Sequence, residues 1–155
     1  GFMQRGEVIW NKSASAGVSC AWGSWKSASN PTLRDVHEYI LIFSKGKFKL
    51  NRSKAEREEG RKDTIQKEEF MDWTKSIWDF PTESAKRVGH PAPFPVELPR
   101  RCLELYTFSG DVVLDPFGGS GSTGVAAKQN GRRFIVFDVN EDYCSLAERR
   151  IADEC

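Results

Sequence analysis

The sequence predicts an α/β fold, because a strand, a glycine-rich turn, a helix and a second strand follow one another in its closing third. The run Val112–Leu114 has the apolar branching of a buried parallel strand. Gly119, Gly121 and Gly124 then follow the spacing G-x-G-x-x-G at the point where the strand gives way to a helix. Such a turn lets a ligand approach the backbone and the N–H groups at the start of the helix.

The other elements of this closing part are predicted from the same kind of pattern. VAAKQNG suits a helix that ends at Gly131, and RRFIVFDVN contains a second strand. A last helix is expected from about Glu141 to Ile151. Together these segments form a β-α-β-α unit, which is typical of an α/β fold with parallel strands.

Upstream of this unit, the predicted elements are shorter and less regular. EVIW at 7–10 and YILIF at 39–43 are predicted strands, and a polar connection rich in glycine and serine separates them. KEEFMDWTKSIWDF is partly amphipathic and is expected to contain a helix. A proline-punctuated segment then leads into a predicted helix over Glu97 to Tyr106, whose first turn tolerates Pro99.

The composition fits an ordinary globular protein with one domain over residues 1–155. Apolar residues make up 39% of the chain and charged residues 29%, and no segment approaches the apolar length that spans a bilayer. A membrane protein is therefore not predicted. The chain has no initiator methionine and no charged-then-apolar leader, so a cytoplasmic location is expected.

The cysteines predict neither a metal site nor a nucleophile. The four cysteines are scattered without a C-x-x-C pair, and two histidines are present to complement them. Reduced thiols that are buried or incidental are expected in a cytoplasmic protein. None of the cysteines follows a proline, which argues against an enzyme that attacks a pyrimidine ring through a thiolate.

Positive charge is concentrated between residues 45 and 62. The segment KGKFKLNRSKAEREEGRK holds eight basic residues against three glutamates, a local excess of five positive charges. A solvated, mobile loop is one interpretation, and contact with the phosphates of a nucleic acid is the other. The two can coexist, and the candidate phosphate contacts are Lys45, Lys47, Lys49 and Arg52.

The residues that lead into the glycine turn distinguish between ligands. In a dinucleotide site the strand runs almost directly into the first glycine, so that the pyrophosphate can lie on the helix N-terminus. Here Asp115-Pro116-Phe117 comes first, and a carboxylate at this point would repel a pyrophosphate but suits an amino-acid-bearing nucleoside. Asp138, at the end of the second strand, is placed to bind ribose hydroxyls under either interpretation. A dinucleotide-dependent oxidoreductase therefore stays open as an alternative.

With these pieces in order, the sequence resembles the beta group of DNA amino-methyltransferases. DPFGGSGST is similar to their glycine-rich cofactor motif, commonly D-P-F-x-G-S-G-T-T, and HPAPFPVELPRR resembles the segment H-P-x-x-K-P-x-x-L that precedes it. RGEVIWNKS and DVHEYILIFSK resemble strands of the catalytic half, which comes first in this group. The resemblance implies a Rossmann-like, S-adenosylmethionine-dependent methyltransferase fold with a circularly permuted order of motifs.

The resemblance also implies an activity and a set of site residues. The activity is site-specific transfer of a methyl group from S-adenosylmethionine to the exocyclic amine of cytosine (N4, slightly favoured) or adenine (N6) in double-stranded DNA, as in restriction-modification. Trp10 is a candidate for the target-base pocket, with core packing as the alternative. The implied cofactor contacts are Asp115, Phe117, Gly118, Gly119 and Gly121, with Asp138 for the ribose and the segment His90 to Pro95, through His90, Pro91 and Pro95, as a wall near the methionine end.

The chain departs from the family pattern at two places. Phe94 stands where the upstream segment usually has a lysine, and the catalytic motif, Asp, Asn or Ser followed by Pro-Pro-Tyr, occurs nowhere. The chain is therefore expected to be the C-terminal portion of a longer enzyme: 1–44 would end the catalytic half, 45–80 would be variable and DNA-recognising, and 81–155 would bind the cofactor. An incomplete sheet and self-association through unpaired strand edges are expected. A non-catalytic cofactor- or DNA-binding fragment is the alternative.

Overall fold

The computed structural model describes residues 1–12, 30–31, 33–49, 53–84, 88 and 93–154. The chain divides into two compact units, and each unit takes two separate pieces of the sequence. The first unit consists of Gly1–Phe48 with Lys75–Pro81, and the second of Lys49–Thr74 with Thr82–Cys155.

The first unit is built on a three-stranded sheet. Its strands are β1 (Phe2–Asn11), β2 (His37–Lys45) and β3 (Ile77–Asp79), in the order β2-β1-β3. β1 pairs antiparallel with β2 and parallel with β3. The strands predicted at 7–10 and 39–43 are confirmed as parts of longer strands, whereas β3 was not predicted, because its three residues follow directly on an amphipathic helical segment.

Two tryptophans form the core of the first unit. Trp10 on β1 lies opposite Trp78 on β3, and both side chains are buried. The indole N–H of Trp10 donates to the carbonyl oxygen of Phe80 at 2.9 Å, and the two rings stack with centroids 5.1 Å apart. Burial of an indole with its N–H satisfied is strongly favourable, so these residues hold the short β3 against β1.

The second unit contains the β-α-β-α series that the sequence predicts, preceded by three helices. Its helices are α1 (Lys54–Glu58), α2 (Lys67–Trp73), α3 (Glu97–Tyr106), α4 (Ser122–Gln129) and α5 (Glu141–Asp153). Its strands β4 (Val112–Asp115) and β5 (Arg133–Val136) pair in parallel, with α4 as the connection between them. The core forms where Leu103 of α3 meets Ala126 and Ala127 of α4.

A third tryptophan anchors α2 to α3 in the second unit. Trp73 is buried at the end of α2, and the guanidinium carbons of Arg100 and Arg101 lie 4.6 Å and 5.3 Å from the centroid of its ring system. Arg100 also forms an ion pair with Glu69 of α2. The helix predicted within KEEFMDWTKSIWDF is therefore confirmed, and cation–π contacts fix it to α3.

Both sheets are partial, and each leaves apolar side chains exposed. On the β4–β5 pair, Val112, Leu114 and Ile135 are 50%, 60% and 47% exposed. On β2, Tyr39, Leu41 and Phe43 alternate along one face and are also exposed. Parallel strands in complete α/β folds are covered on both faces. The expectation of an incomplete sheet is thus confirmed for the described part of the chain.

The basic segment has more structure than a solvated loop would have. Residues 54–58 form α1, and Arg61 donates to Asp111 at 2.8 Å and to Glu56 at 2.7 Å. Although burial opposes it, the hydrogen bonds from Arg61 keep the pKa of Asp111 below its ordinary value. This part of the segment therefore contains a short helix and a bonded arginine, because Glu56 and Asp111 fix the Arg61 guanidinium, and its solvation and mobility stay a prediction.

A buried ion pair joins three segments of the second unit. The Arg132 side chain is fully buried, and its Nη1 atom lies 3.2 Å from a carboxylate oxygen of Glu104, which is 5% exposed. Arg132 also donates to the hydroxyl of Thr64 at 2.6 Å and to the carbonyl oxygen of Thr107 at 3.0 Å. The guanidinium therefore links the segment before α2, the helix α3 and the start of β5.

We predict that Arg132→Met destabilises the second unit, because it leaves the Glu104 carboxylate buried without its partner. Loss of one member of a buried pair costs about 3–5 kcal/mol. Urea denaturation followed by circular dichroism measures the free energy of unfolding. Arg133→Met, which removes the neighbouring exposed guanidinium, is the matched control and should change stability by less than about 1 kcal/mol. Equal effects of the two substitutions would contradict the prediction.

Candidate functional site

The glycine turn lies between β4 and α4, and Asp115 organises it. One carboxylate oxygen of Asp115 accepts from the backbone N–H of Phe117 at 3.0 Å. The other accepts from the hydroxyl of Thr123 at 2.6 Å. Asp115 thus holds both ends of the turn, and the carboxylate that the sequence places before the glycines has a structural role in addition to any contact with a ligand.

Two glycines are required where the turn meets its neighbours. A Cβ atom at Gly118 would lie 2.0 Å from Cγ1 of Val136, and the Gly118 N–H donates to the carbonyl oxygen of Phe137 at 2.7 Å. Gly121 has a φ of +81°, and a Cβ atom there would lie 2.8 Å from Cβ of Ala147. Any larger residue would therefore push the turn away from β5 or from α5.

Asp138 closes the other side of the site. Its carboxylate accepts from the backbone N–H of Gly119 and from that of Asn140, both at 2.9 Å. The turn after β4 and the loop after β5 are consequently held side by side, at the carboxyl ends of two parallel strands. This edge is where ligands bind in open α/β folds.

The surroundings of the turn offer donors and an apolar surface. The start of α4 has no side-chain cap, so its first N–H groups point out of the helix without an intrahelical acceptor. The Phe117 side chain is 84% exposed beside them. Backbone donors, a phenyl group and the carboxylate of Asp138 can together bind a nucleoside that carries an anionic group.

The upstream segment reaches the same turn. The hydroxyl of Ser122, the first residue of α4, donates to the carbonyl oxygen of Phe94 at 2.8 Å. Pro95 follows in the same segment and is half-buried. The structure therefore brings Pro95 near the predicted cofactor contacts of the glycine turn, whereas His90 and Pro91 lie outside the described residues.

The remaining predicted site residues lie elsewhere. Trp10 is buried in the first unit, as core packing requires, and its role in a target-base pocket stays a prediction. Lys45 and Lys47 belong to the first unit and Lys49 to the second, and all three are exposed. Arg52 lies outside the described residues.

The sequence reasoning missed two residues at the turn. Thr123 bonds to Asp115, and Arg150 of α5 donates to the carbonyl oxygen of Ser120 at 3.0 Å. The hydroxyl residues within GGSGST could have indicated the first contact. No local pattern indicates the second, because Arg150 lies 30 positions from Ser120.

Thiol and metal chemistry find no support among the residues that the structure describes. Burial raises the pKa of the Cys102 thiol to about 11, so its thiolate is scarce at neutral pH.

In the described ranges no three His, Cys, Asp or Glu side chains come together as a metal site would need. Nor does any helix there have the length and apolar character to cross a membrane.

The comparisons with known proteins agree on one family. A family model described as DNA methylase, of the N6 and N4 type, matches residues 1–149. Type II methyltransferase M.MthZI of Methanothermobacter thermautotrophicus is 33% identical over 93% of this chain and 42% of its own length. Type II methyltransferase M.SmaI of Serratia marcescens is 33% identical over 97% of this chain and 47% of its own length.

A solved structure is similar as well. It is that of a presumed DNA modification methylase from Thermus thermophilus in complex with S-adenosyl-L-methionine. It is 32% identical, with a TM-score of 0.76, and the match covers 99% of this chain and 55% of that one. The chain therefore spans about half the length of the relatives it matches.

The relatives are methyltransferases, so an oxidoreductase is not favoured, and the α/β fold that the resemblance implies is confirmed. With a family match over nearly its whole length, this chain belongs to the DNA methylase family.

Proposed function

We propose that this chain supplies the S-adenosylmethionine-binding part of a DNA methyltransferase that acts on the exocyclic amine of cytosine (N4) or adenine (N6), in a restriction-modification system. One observation carries the proposal: Asp115 and Asp138 hold a glycine turn at the carboxyl ends of two parallel strands. The S-adenosylmethionine complex of the Thermus thermophilus relative supports the choice of cofactor.

The residues of the turn fit this cofactor. The carboxylate of Asp138 lies beside the turn at the edge where ribose hydroxyls would donate to it, and the exposed ring of Phe117 offers an apolar surface for the nucleoside. Glycine at positions 118 and 121 lets the turn pack directly against Val136 and Ala147, and this packing fixes the shape of the turn beside the proposed site. His90, Pro91 and Pro95 would bound the methionine end.

The bound cofactor supplies an electrophilic methyl group on a sulfonium, and this chain orients it. An exocyclic amine is a weak nucleophile because its lone pair is delocalised into the ring. In this family the amine is activated by hydrogen bonds from the Pro-Pro-Tyr motif, which the sequence does not contain. We therefore propose that the chain by itself binds the cofactor but transfers no methyl group.

The DNA partner is proposed from charge. Lys45, Lys47 and Lys49 are exposed, as lysines that contact phosphates must be before binding. Arg52 follows in the same basic segment. Phosphate contacts of this kind position the duplex without reading its sequence.

Replacement of Asp138 should weaken binding of the cofactor. Asp138→Ala removes a charge-assisted hydrogen bond to ribose that contributes on the order of 1.5–3 kcal/mol, which corresponds to a loss of affinity of about 10- to 150-fold. Isothermal titration calorimetry with S-adenosylhomocysteine measures this loss. Asp153→Ala, which removes an exposed carboxylate near the end of α5, is the matched control. Equal affinity of Asp138→Ala and the unmodified chain would remove Asp138 from the site.

Neutralisation of the basic segment should flatten the salt dependence of DNA binding. The slope of log K against log[salt] is negative, and each lost phosphate contact reduces its magnitude by about 0.9. Replacement of Lys45, Lys47, Lys49 and Arg52 by Gln together should therefore reduce the magnitude by up to about 3.6. Fluorescence anisotropy with a labelled duplex in increasing KCl gives the slope. A control with Gln at Lys67, Lys75, Lys128 and Arg149 makes the same change in net charge. If both variants share one slope, the segment makes no specific phosphate contacts.

The chain alone is expected to associate and to be inactive. Exposed apolar side chains on β2 and on the β4–β5 pair favour pairing with another copy. Light scattering after size exclusion gives the mass in solution, and transfer of a tritiated methyl group to mixed-sequence DNA gives the activity. A stable, active monomer would contradict both expectations and would mean that other residues activate the amine.

A further inference from the structure

The last helix supports the glycine turn through one arginine. Nη1 of Arg150 lies 3.0 Å from both the carbonyl oxygen and the hydroxyl of Ser120, and 3.4 Å from the hydroxyl of Ser122. The Arg150 side chain is 12% exposed, and both serines are buried. The guanidinium is therefore enclosed against the turn, although it lies on a helix whose other charged residues are mostly exposed.

Ser122 extends this contact to a second segment. Its hydroxyl can accept from Arg150 while it donates to the carbonyl oxygen of Phe94 at 2.8 Å. Arg150, Ser122 and Phe94 thus form a hydrogen-bonded chain from α5 through the start of α4 to the upstream segment. The glycine turn and the 93–95 segment, both proposed as walls of the cofactor pocket, are held by the same guanidinium.

The position of Arg150 is itself fixed from two sides. Glu154, the residue directly after α5, accepts from Nε of Arg150 at 2.8 Å. Ala147 and Ile151 lie on the same face of α5, where a Cβ atom at Gly121 would reach within 2.8 Å of Ala147. The ion pair with Glu154 orients the guanidinium, and the close packing of α5 against Gly121 fixes the position of the helix that carries it.

Stability alone is a weak explanation for this arrangement. A cation beside the N-terminus of α4 adds to the positive end of the helix dipole, which is unfavourable by itself. A guanidinium can, however, bind the turn and Glu154 at the same time, because its donors form a planar fork: Nη1 bonds to the serines while Nε and Nη2 bond to the carboxylate. That property matters when the turn must keep its shape without a ligand.

We propose that Arg150 is a positioning residue for the cofactor pocket: it fixes the glycine turn and, through Ser122, the 93–95 segment in the geometry that binds S-adenosylmethionine. The proposal rests on the proposed cofactor function. In this role Arg150 acts through the two serines.

Hydrogen exchange measured by mass spectrometry tests this role directly. The variants are Arg150→Met, Arg150→Lys and, as the matched control, Arg149→Met, which changes the exposed neighbour. Arg150→Met should speed exchange in the peptide over 117–124 at least tenfold, while peptides over β5 and α3 keep their rates. Arg150→Lys keeps the positive charge but lacks the planar set of donors, so it should give a smaller increase in the exchange rate. Arg149→Met should give no increase.

Calorimetry with S-adenosylhomocysteine completes the test. We expect Arg150→Met to lose at least tenfold in affinity and Ser122→Ala to lose less, with the double variant no weaker than Arg150→Met alone, since both act through one chain of contacts. A uniform rise in exchange across the second unit, or unchanged exchange with unchanged affinity, would overturn the proposal. If the unmodified chain binds no S-adenosylhomocysteine, the proposed function fails, whereas the exchange rates still decide whether Arg150 fixes the turn.

Discussion

The site depends on the absence of a side chain at Gly118. The backbone there lies so close to β5 that a single added carbon would overlap Val136. If the ends of β4 and β5 moved apart to make room, the carboxylate of Asp138 would leave the N–H of Gly119, which it now meets at 2.9 Å. The contacts between the turn and the loop after β5 therefore presuppose a glycine at position 118.

Two carboxylates and one guanidinium hold the glycine turn in the conformation that its glycines permit. Asp115 binds the turn from within, Asp138 binds it from the neighbouring loop, and Arg150 binds it from the last helix. Hydrogen bonds to ionised groups are stronger than those between neutral groups, so the turn is held with few contacts. The consequence is a turn whose backbone is held in shape by side chains from three elements.

Local patterns predicted the elements of the second unit well, because strands and helices there follow directly from hydrophobic periodicity and from glycine and proline. The helix over 97–106 has the predicted bounds, and the strand at 112–114 extends by one residue. The contacts of Arg132 were not predictable, since Thr64 lies 68 positions away. The same holds for Arg150, and for β3, whose three residues are a strand only because Trp78 packs in the same core as Trp10. Non-local contacts leave no periodic signal in a single sequence.

Trp73, at the end of α2, packs against α3, and its fluorescence can therefore report on the contact between these two helices. Of the three tryptophans that the structure describes, Trp73 belongs to the second unit, whereas Trp10 and Trp78 belong to the first. Two guanidinium groups lie within 5.3 Å of its ring centroid, and the nearby charge makes the emission of the indole sensitive to any separation of the two helices. Fluorescence that disappears on replacement of Trp73 by phenylalanine therefore belongs to the second unit. A shift in the emission of Trp73 therefore reports a change in the contact between α2 and α3.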